Sequence, residues 1–215
     1  MTRREDLFRI ARATKGFMPD DEGAALFDAA LAACRPARAP FIVEVGAWCG
    51  KSTVYLAAAA EETDAVVLSV DHHHGSEELQ EGWADFDPEL VDPADGRVNT
   101  LPAWQRTIAD AALEGCVVGL VGDSATAARH VRDGVTFCFI DGGHGHDVAW
   151  ADYRAWVPLV GEGGTLAIHD VFEDPRDGGR PPYELYRRAL STDFTELAAT
   201  GSLRVLRRSG RRAGE

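Results

Sequence analysis

The sequence predicts a doubly wound α/β fold, in which helices cover both faces of a mostly parallel sheet. Short, β-branched and almost wholly apolar runs alternate along the chain with segments of helical period. Runs of this composition are typical of strands that are buried on both faces. The chain has 215 residues, which is enough for one domain with a full hydrophobic core.

The predicted elements follow one another in the order that this fold requires. Two amphipathic helices come first, at about 5–14 and 23–34. Five strands are predicted at 41–45, 66–70, 117–121, 136–140 and 165–168, and the helices between them at 51–62, 101–113, 124–131 and 148–160. A helix at 182–190 and an antiparallel strand pair at 194–198 and 202–206 end the chain. We expect the helices of 1–36 to pack on a core domain formed by 37–215.

Composition and charge exclude several classes of partner. The formal net charge is −13, which argues against a nucleic-acid binder and against an anionic membrane surface. No apolar run approaches 18 residues, and the four cysteines are scattered without a CxxC pair, so we expect a cytoplasmic protein without disulfides. The expected partner is a small molecule, and a homodimer stays open.

One long segment breaks the alternation of strands and helices. Residues 72–100 show no clear period and follow the carboxyl end of a strand, the edge at which open α/β sheets bind ligands. We predict a lid over a binding site there, in preference to a passive insertion.

The turn after the first strand has the features of an anion-binding loop. Gly46 and Gly50 allow a tight turn and a close approach to a ligand, and Lys51 and Ser52 open the next helix, whose free N–H groups can hold a carboxylate or a phosphate. GxxxGKST is one residue shorter than the phosphate loop of nucleotide phosphotransferases, and that class does not explain the acidic Glu44 inside the strand. A phosphotransferase remains the alternative interpretation.

Acidic residues also stand at the next two strand ends. Asp71 ends the second strand, about twenty residues after the glycine loop, where a carboxylate can accept both hydroxyls of a ribose, and His72 follows it. Asp123 and Ser124 follow the third strand. Each acidic residue alone could equally be a helix cap or a solvated loop end.

An acidic residue in the first strand followed by GxxxG resembles motif I of the S-adenosylmethionine (SAM)-dependent methyltransferases, which have a Rossmann-like fold. The resemblance extends over about 41–170 and is strongest in FIDGGHGHDVAWADYRAWVPLVGEGGTLAIHDV, which is similar to the sugar and macrolide O-methyltransferases and more distantly to catechol O-methyltransferase. It implies that Glu44, Gly46, Gly50, Lys51, Ser52, Asp71, His72, Asp123, Ser124 and Asp141 bind SAM.

The resemblance also implies a reaction centre. Asp141 follows the fourth strand, and His169 and Asp170 follow the fifth, where metal-dependent relatives hold a divalent cation. A histidine at 169 departs from their oxygen ligands and favours zinc, iron or manganese over magnesium. The alternative is a hydrogen-bonded His–Asp pair without metal. His144 lies where the catechol enzyme has its basic residue and is the predicted general base, with Asp141 beside it.

The sequence therefore predicts methyl transfer from SAM to a small-molecule acceptor, most simply a hydroxyl oxygen, with nitrogen also open. A degenerate fold that only binds a partner is disfavoured by the reactive residues at both ends of the site.

Overall fold

Seven strands form one sheet in the computed structural model, which describes residues 2–83 and 85–209. The strands are β1 (Phe41–Val45), β2 (Val66–Asp71), β3 (Val117–Val121), β4 (Val135–Ile140), β5 (Val160–Ile168), β6 (Phe194–Thr200) and β7 (Leu203–Arg208). The helices are α1 (Arg3–Ala13), α2 (Asp20–Cys34), α3 (Lys51–Thr63), α4 (Leu101–Asp110), α5 (Ser124–Ala128), α6 (His146–Trp156) and α7 (Arg180–Leu190).

The sheet order is β3-β2-β1-β4-β5-β7-β6. The strands β1 to β5 pair in parallel, and β7 runs antiparallel to both of its neighbours. This confirms the doubly wound, mostly parallel sheet with an antiparallel finish. Chain order reverses between β1 and β4, so their carboxyl ends form the switch point at which such sheets bind ligands.

Two predicted boundaries around β5 were wrong. β5 begins at Val160 rather than at 165, because the glycine-rich run that follows pairs with β4 through a register shift and takes a left-handed turn at Gly163. The helix before it ends at Trp156 and continues as one 3₁₀ turn over Val157–Leu159. Pro158 lies in that turn and has no N–H to continue the α-helical ladder.

The helices bury apolar faces on both sides of the sheet. On one side, α1 and α2 pack against α3 through side chains that include Leu7, Phe27 and Tyr55. On the other side, α6 packs between α5 and α7, and Trp156 is fully buried there. The site therefore lies at one edge of a sheet that is fixed from both faces.

The segment 72–100 has more internal structure than its sequence suggests. It contains single 3₁₀ turns at Glu77–Leu79 and Pro88–Leu90 and an antiparallel bridge between Val91 and Val98. A role as a lid stays a prediction. Among the described residues, no helix combines the length and the apolar character needed to cross a bilayer.

Candidate active site

A cavity of about 340 Å³ opens along the carboxyl ends of β1 to β5. Its walls come from the turns after these strands, from the α1–α2 connection and from the segment 72–100. Most of the predicted site residues line it: Gly46, Lys51, Ser52, Asp71, His72, Asp123, Ser124, Asp141, His144, His169 and Asp170.

Asp71 holds the loop after β1 in place. Its Oδ2 accepts hydrogen bonds from the backbone N–H groups of Ala47 at 2.8 Å and Trp48 at 2.9 Å, and its Oδ1 accepts one from His73 N at 2.7 Å. Trp48 is in the left-handed region at φ 49°, and Gly46 is there at φ 86°. The carboxylate thus stabilises a loop conformation that its residues would not adopt alone, and it also faces the cavity.

Glu44 and Gly50 were predicted to contact the cofactor, but neither lines the cavity. Glu44 is fully buried, and its carboxylate accepts hydrogen bonds from the hydroxyls of Ser52 at 2.7 Å, Thr53 at 2.6 Å and Ser69 at 2.5 Å. Gly50 is the N-cap of α3 in a left-handed conformation. Both residues therefore contribute to the loop without lining the cavity.

Burial gives Glu44 a pH-dependent effect on stability. Burial raises the pKa of this carboxyl from 4.5 to about 7, although three hydroxyl donors oppose the shift. The folded state therefore favours the protonated acid, so this stabilisation is complete below pH 4.5 and is lost as pH rises through 7. The size of the effect is on the order of 3 kcal/mol, from about 1.4 kcal/mol per pKa unit.

We expect Glu44→Gln to remove the loss of stability at high pH, because the glutamine amide is never charged. Urea unfolding at about pH 5 and about pH 8 should show the free energy of unfolding decreasing with pH in the wild type and decreasing much less in the variant. Glu162→Gln, at an exposed position, is the matched control and should behave like the wild type. An equal pH dependence in wild type and E44Q would contradict the assignment.

The cavity is also lined by the predicted residues Lys51, Asp123 and Ser124. Lys51 Nζ lies 3.6 Å from Asp20 Oδ1 on α2. Asp123 caps α5 by accepting a hydrogen bond from Thr126 N at 2.8 Å, and Ser124 Oγ accepts one from Trp156 Nε1 at 2.7 Å. Asp123 therefore caps a helix, which was the alternative to ligand binding. The same residue also lines the cavity.

The three consecutive histidines have different environments. His72 is exposed and lines the cavity. His73 is buried, with Nδ1 2.7 Å from Thr100 Oγ1, and His74 Nδ1 lies 3.0 Å from the Val98 carbonyl oxygen. Only the first of the three therefore faces the site, while the other two anchor the ends of the segment 72–100.

At the other end of the cavity, His144 pairs with Asp170. His144 Nε2 lies 3.0 Å from Asp170 Oδ2, and Nδ1 lies 3.4 Å from Glu78 Oε1. The contact with Asp170 raises the pKa of His144 above its ordinary 6.5, although burial opposes the shift. Asp170 is at φ 56°, a strained backbone conformation of the kind that clusters at functional sites.

His169 lies among three carboxylates. Its Nδ1 is 3.0 Å from Asp141 Oδ1 and 3.3 Å from Asp170 Oδ2, and its Nε2 is 2.6 Å from Glu22 Oε2. Burial alone would lower the pKa of this imidazole, but the three carboxylates hold it well above its ordinary value. Potential ligand atoms of Asp141, His169 and Asp170 lie within 4.8 Å of one another.

Sequence reasoning missed Glu22 and Asp152. Glu22 is buried on α2, and Asp152 is buried on α6 at the cavity wall, where burial raises its pKa to about 6. A signal for Glu22 was available, since it falls on the same helical face as Leu26 and Ala30, an apolar stripe where an unpaired acid would be costly. Its partner, 147 residues further along the chain, could not be read from that stripe.

The fold and the site together define an α/β protein with a cavity at the switch point of its sheet. A family model described as a methyltransferase domain matches residues 43–171, and the chain belongs to this methyltransferase family. The matched region runs from the third residue of β1 to beyond the end of β5 and includes the turns that carry most of the cavity wall.

Solved structures with low sequence identity share the fold. The O-methyltransferase TomG from Streptomyces achromogenes, in complex with SAM, superposes with a TM-score of 0.64 at 13% identity over 98% of this chain and 91% of its own. The O-methyltransferase from Bacillus cereus, in complex with S-adenosylhomocysteine (SAH), gives 0.62 at 17% identity over 96% and 90%. The SAH-bound methyltransferase PaMTH1 from Podospora anserina gives 0.65 at 11% identity over 98% and 89%.

Proposed function

We propose that the protein transfers the methyl group of SAM to a hydroxyl oxygen of a small molecule. The observation that carries the proposal is the continuous cavity that connects the loop after β1 and Asp71 with the pair formed by His144 and Asp170. A methyl donor at one end of this cavity would have an acceptor and a base at the other. Binding both reactants in one enclosed site supplies proximity and orientation for an in-line transfer.

Three features support SAM at the β1–β3 end. Asp71 keeps acceptor capacity for ribose hydroxyls, because the three backbone donors leave part of its carboxylate unused. Asp123 and Ser124 offer polar groups after the end of β3, and these groups suit the adenine base of SAM. Lys51 and the first turn of α3 present positive charge, which suits the carboxylate of a methionine moiety.

His144 and Asp170 supply the chemistry at the other end. Asp170 orients the imidazole through Nε2, and this leaves Nδ1, with its long contact to Glu78, to receive a proton. The acceptor oxygen forms a bond to the methyl carbon while the carbon–sulfur bond breaks and its electron pair returns to sulfur. The hydroxyl proton passes to His144 Nδ1, and the products are the methyl ether and SAH.

The residues present also fit a divalent cation. Asp141, His169 and Asp170 would hold it, and the Nε2 of His169 faces Glu22, the carboxylate–histidine arrangement that commonly orients a metal-binding imidazole. An imidazole ligand favours zinc, manganese or iron over magnesium. Such a cation would polarise the acceptor hydroxyl and lower its pKa.

Titration calorimetry with Asp71→Ala tests the cofactor site. We expect SAH affinity to fall by about 1–3 kcal/mol, because the ribose hydroxyls lose a charged acceptor and the loop loses its anchor. Asp71→Asn should lose less, since it retains one acceptor oxygen. Asp110→Ala, exposed on α4, is the control.

Unchanged SAH affinity in a folded D71A variant would remove Asp71 from the site. Wild-type protein that binds ATP but neither SAM nor SAH would overturn the proposed function in favour of a nucleotide-binding activity.

A further inference from the structure

Glu22 is joined to the reaction centre without lining the cavity. It lies in the first turn of α2, and its side chain is only 6% exposed. Its Oε2 is 2.6 Å from His169 Nε2, at the carboxyl end of β5. The two residues are 147 positions apart in the sequence, so this contact exists only in the folded protein.

A second element fixes the other side of the same carboxylate. Oε1 accepts a hydrogen bond from Ser202 N at 2.7 Å, and Oε2 lies 3.0 Å from Ser202 Oγ. Gly201 precedes this contact in the turn between β6 and β7, and a Cβ there would overlap the Glu22 carboxylate. The Glu22 carboxylate is therefore held in one orientation by the β6–β7 turn and can present only one oxygen to His169.

This arrangement requires a hydrogen on Nε2 of His169. A carboxylate accepts hydrogen bonds and does not donate them, so an imidazole nitrogen at 2.6 Å from it must carry a hydrogen. With the proton of Nε2 committed to Glu22, Nδ1 is the atom that faces Asp141 and Asp170. The orientation of the ring and the identity of the nitrogen at the reaction centre both follow from Glu22.

We infer that Glu22 is a positioning residue of the active site, which holds His169 with Nε2 protonated and with Nδ1 directed at Asp141 and Asp170. The catalytic role of Glu22 rests on the proposed function. Its contact with His169 and the hydrogen on Nε2 can be tested without measuring turnover. The helix α2 would then complete the reaction centre as well as pack on the sheet.

Glu22→Gln tests this directly, because the structure dictates how the new amide must turn. Ser202 N is a donor, so the amide oxygen introduced by the substitution has to face it, and the amide NH₂ is left facing His169 Nε2. An NH₂ group there requires a lone pair on Nε2. The proton should therefore leave Nε2, while Nδ1, which faces the carboxylates of Asp141 and Asp170, keeps its hydrogen.

The measurement is ¹⁵N NMR of the histidine side chains in the full-length, EDTA-treated protein, with His169 assigned from the missing signals of His169→Asn. We expect the Nε2 resonance in the protonated range in the wild type and in the unprotonated range in E22Q. Ser202→Ala, which removes a hydroxyl contact to Glu22 but keeps the backbone donor, should lower thermal stability and leave the resonances of His169 unchanged. Methyl transfer by E22Q should fall about 10–100-fold, the usual effect of losing such a partner.

Two results would overturn the inference. An Nε2 without a proton in the wild type would do so even if E22Q does not fold, and so would an Nε2 that stays protonated in folded E22Q. A parallel SAH titration of the wild type separates this from the proposed function. Absence of SAH binding would reject the methyltransferase assignment, while the NMR result would still decide the role of Glu22.

Discussion

Replacing His144 by alanine is expected to slow methyl transfer by about 10²–10⁴-fold, the usual contribution of a general base. Affinity for SAH should change little, since His144 lies at the opposite end of the cavity from Asp71 and Asp123. His146→Ala is the matched control on the same turn. His146 is largely exposed and pairs with its neighbour Asp147, so its loss should have little effect on turnover.

The pH profile gives an independent reading of the same base. Because Asp170 raises the pKa of His144, the neutral form that accepts a proton becomes abundant only above the ordinary value of 6.5. The rate in the wild type should therefore rise with pH through an apparent pKa above 6.5. In H144A this limb of the profile should be missing.

Chelation separates the two mechanisms that the reaction centre allows. If a cation at Asp141, His169 and Asp170 polarises the acceptor, EDTA should abolish turnover and leave SAH binding nearly intact. If His144 acts beside a hydrogen-bonded His169, EDTA should have no effect. Full activity of EDTA-treated H144A would contradict both and leave a transferase that works by proximity alone.

Replacing Gly46 by alanine is expected to produce the largest loss of stability. The left-handed conformation at φ 86° costs a residue with a Cβ about 1–2 kcal/mol. In addition, the new Cβ would overlap the backbone carbonyl of Asp141 and lie 2.9 Å from Gly142 Cα. Both contacts are with backbone atoms at the end of β4 and cannot be relieved by a rotamer change.

We expect the total destabilisation of G46A to be about 3 kcal/mol or more, which for a domain of this size lowers Tm by roughly 6–12 °C. Thermal unfolding followed by circular dichroism measures it. Gly115→Ala is the control, since a Cβ there meets nothing within 4 Å. A shift in G46A no larger than in G115A would show that the loop can relax.

The direction of this effect adds a reason for the glycine that the sequence did not indicate. The sequence explains Gly46 by a tight turn and a close approach to a ligand. The structure directs a Cβ at this position toward the strand end carrying Asp141. The spacing of the glycines indicates that a side chain is not tolerated at this position, but it does not indicate which neighbouring atoms exclude it.

Other parts of the site could be predicted from the sequence because they depend on which residues follow one another along the chain. Apolar runs of strand length located β1 to β5, and the acidic residues at the ends of β2, β3 and β4 reach one edge because parallel strands point the same way. The surroundings of Glu44 were not predictable for the complementary reason. Alternation along β1 indicates which face a side chain takes, but not that Ser52, Thr53 and Ser69 enclose it.

The contacts of His169 show the limit most clearly. GGTLAIHD places His169 and Asp170 at the end of β5, and Asp141 joins them across one strand pair. The link to Glu22 depends instead on how α2 lies across the sheet and on a turn between two strands near the end of the chain. Such a contact depends on tertiary packing, and no short-range spacing of residues in the sequence indicates it.

An isotope experiment tests most directly whether this cavity holds SAM as a methyl donor. The full-length protein is incubated with SAM carrying a trideuterated methyl group and with a panel of catechols and glycosides, with and without added divalent cation, and the products are analysed by mass spectrometry. We expect an acceptor that gains one intact trideuteromethyl group on oxygen, with an equal amount of SAH formed. Absence of SAM and SAH binding, together with no labelled product from any acceptor, would contradict it.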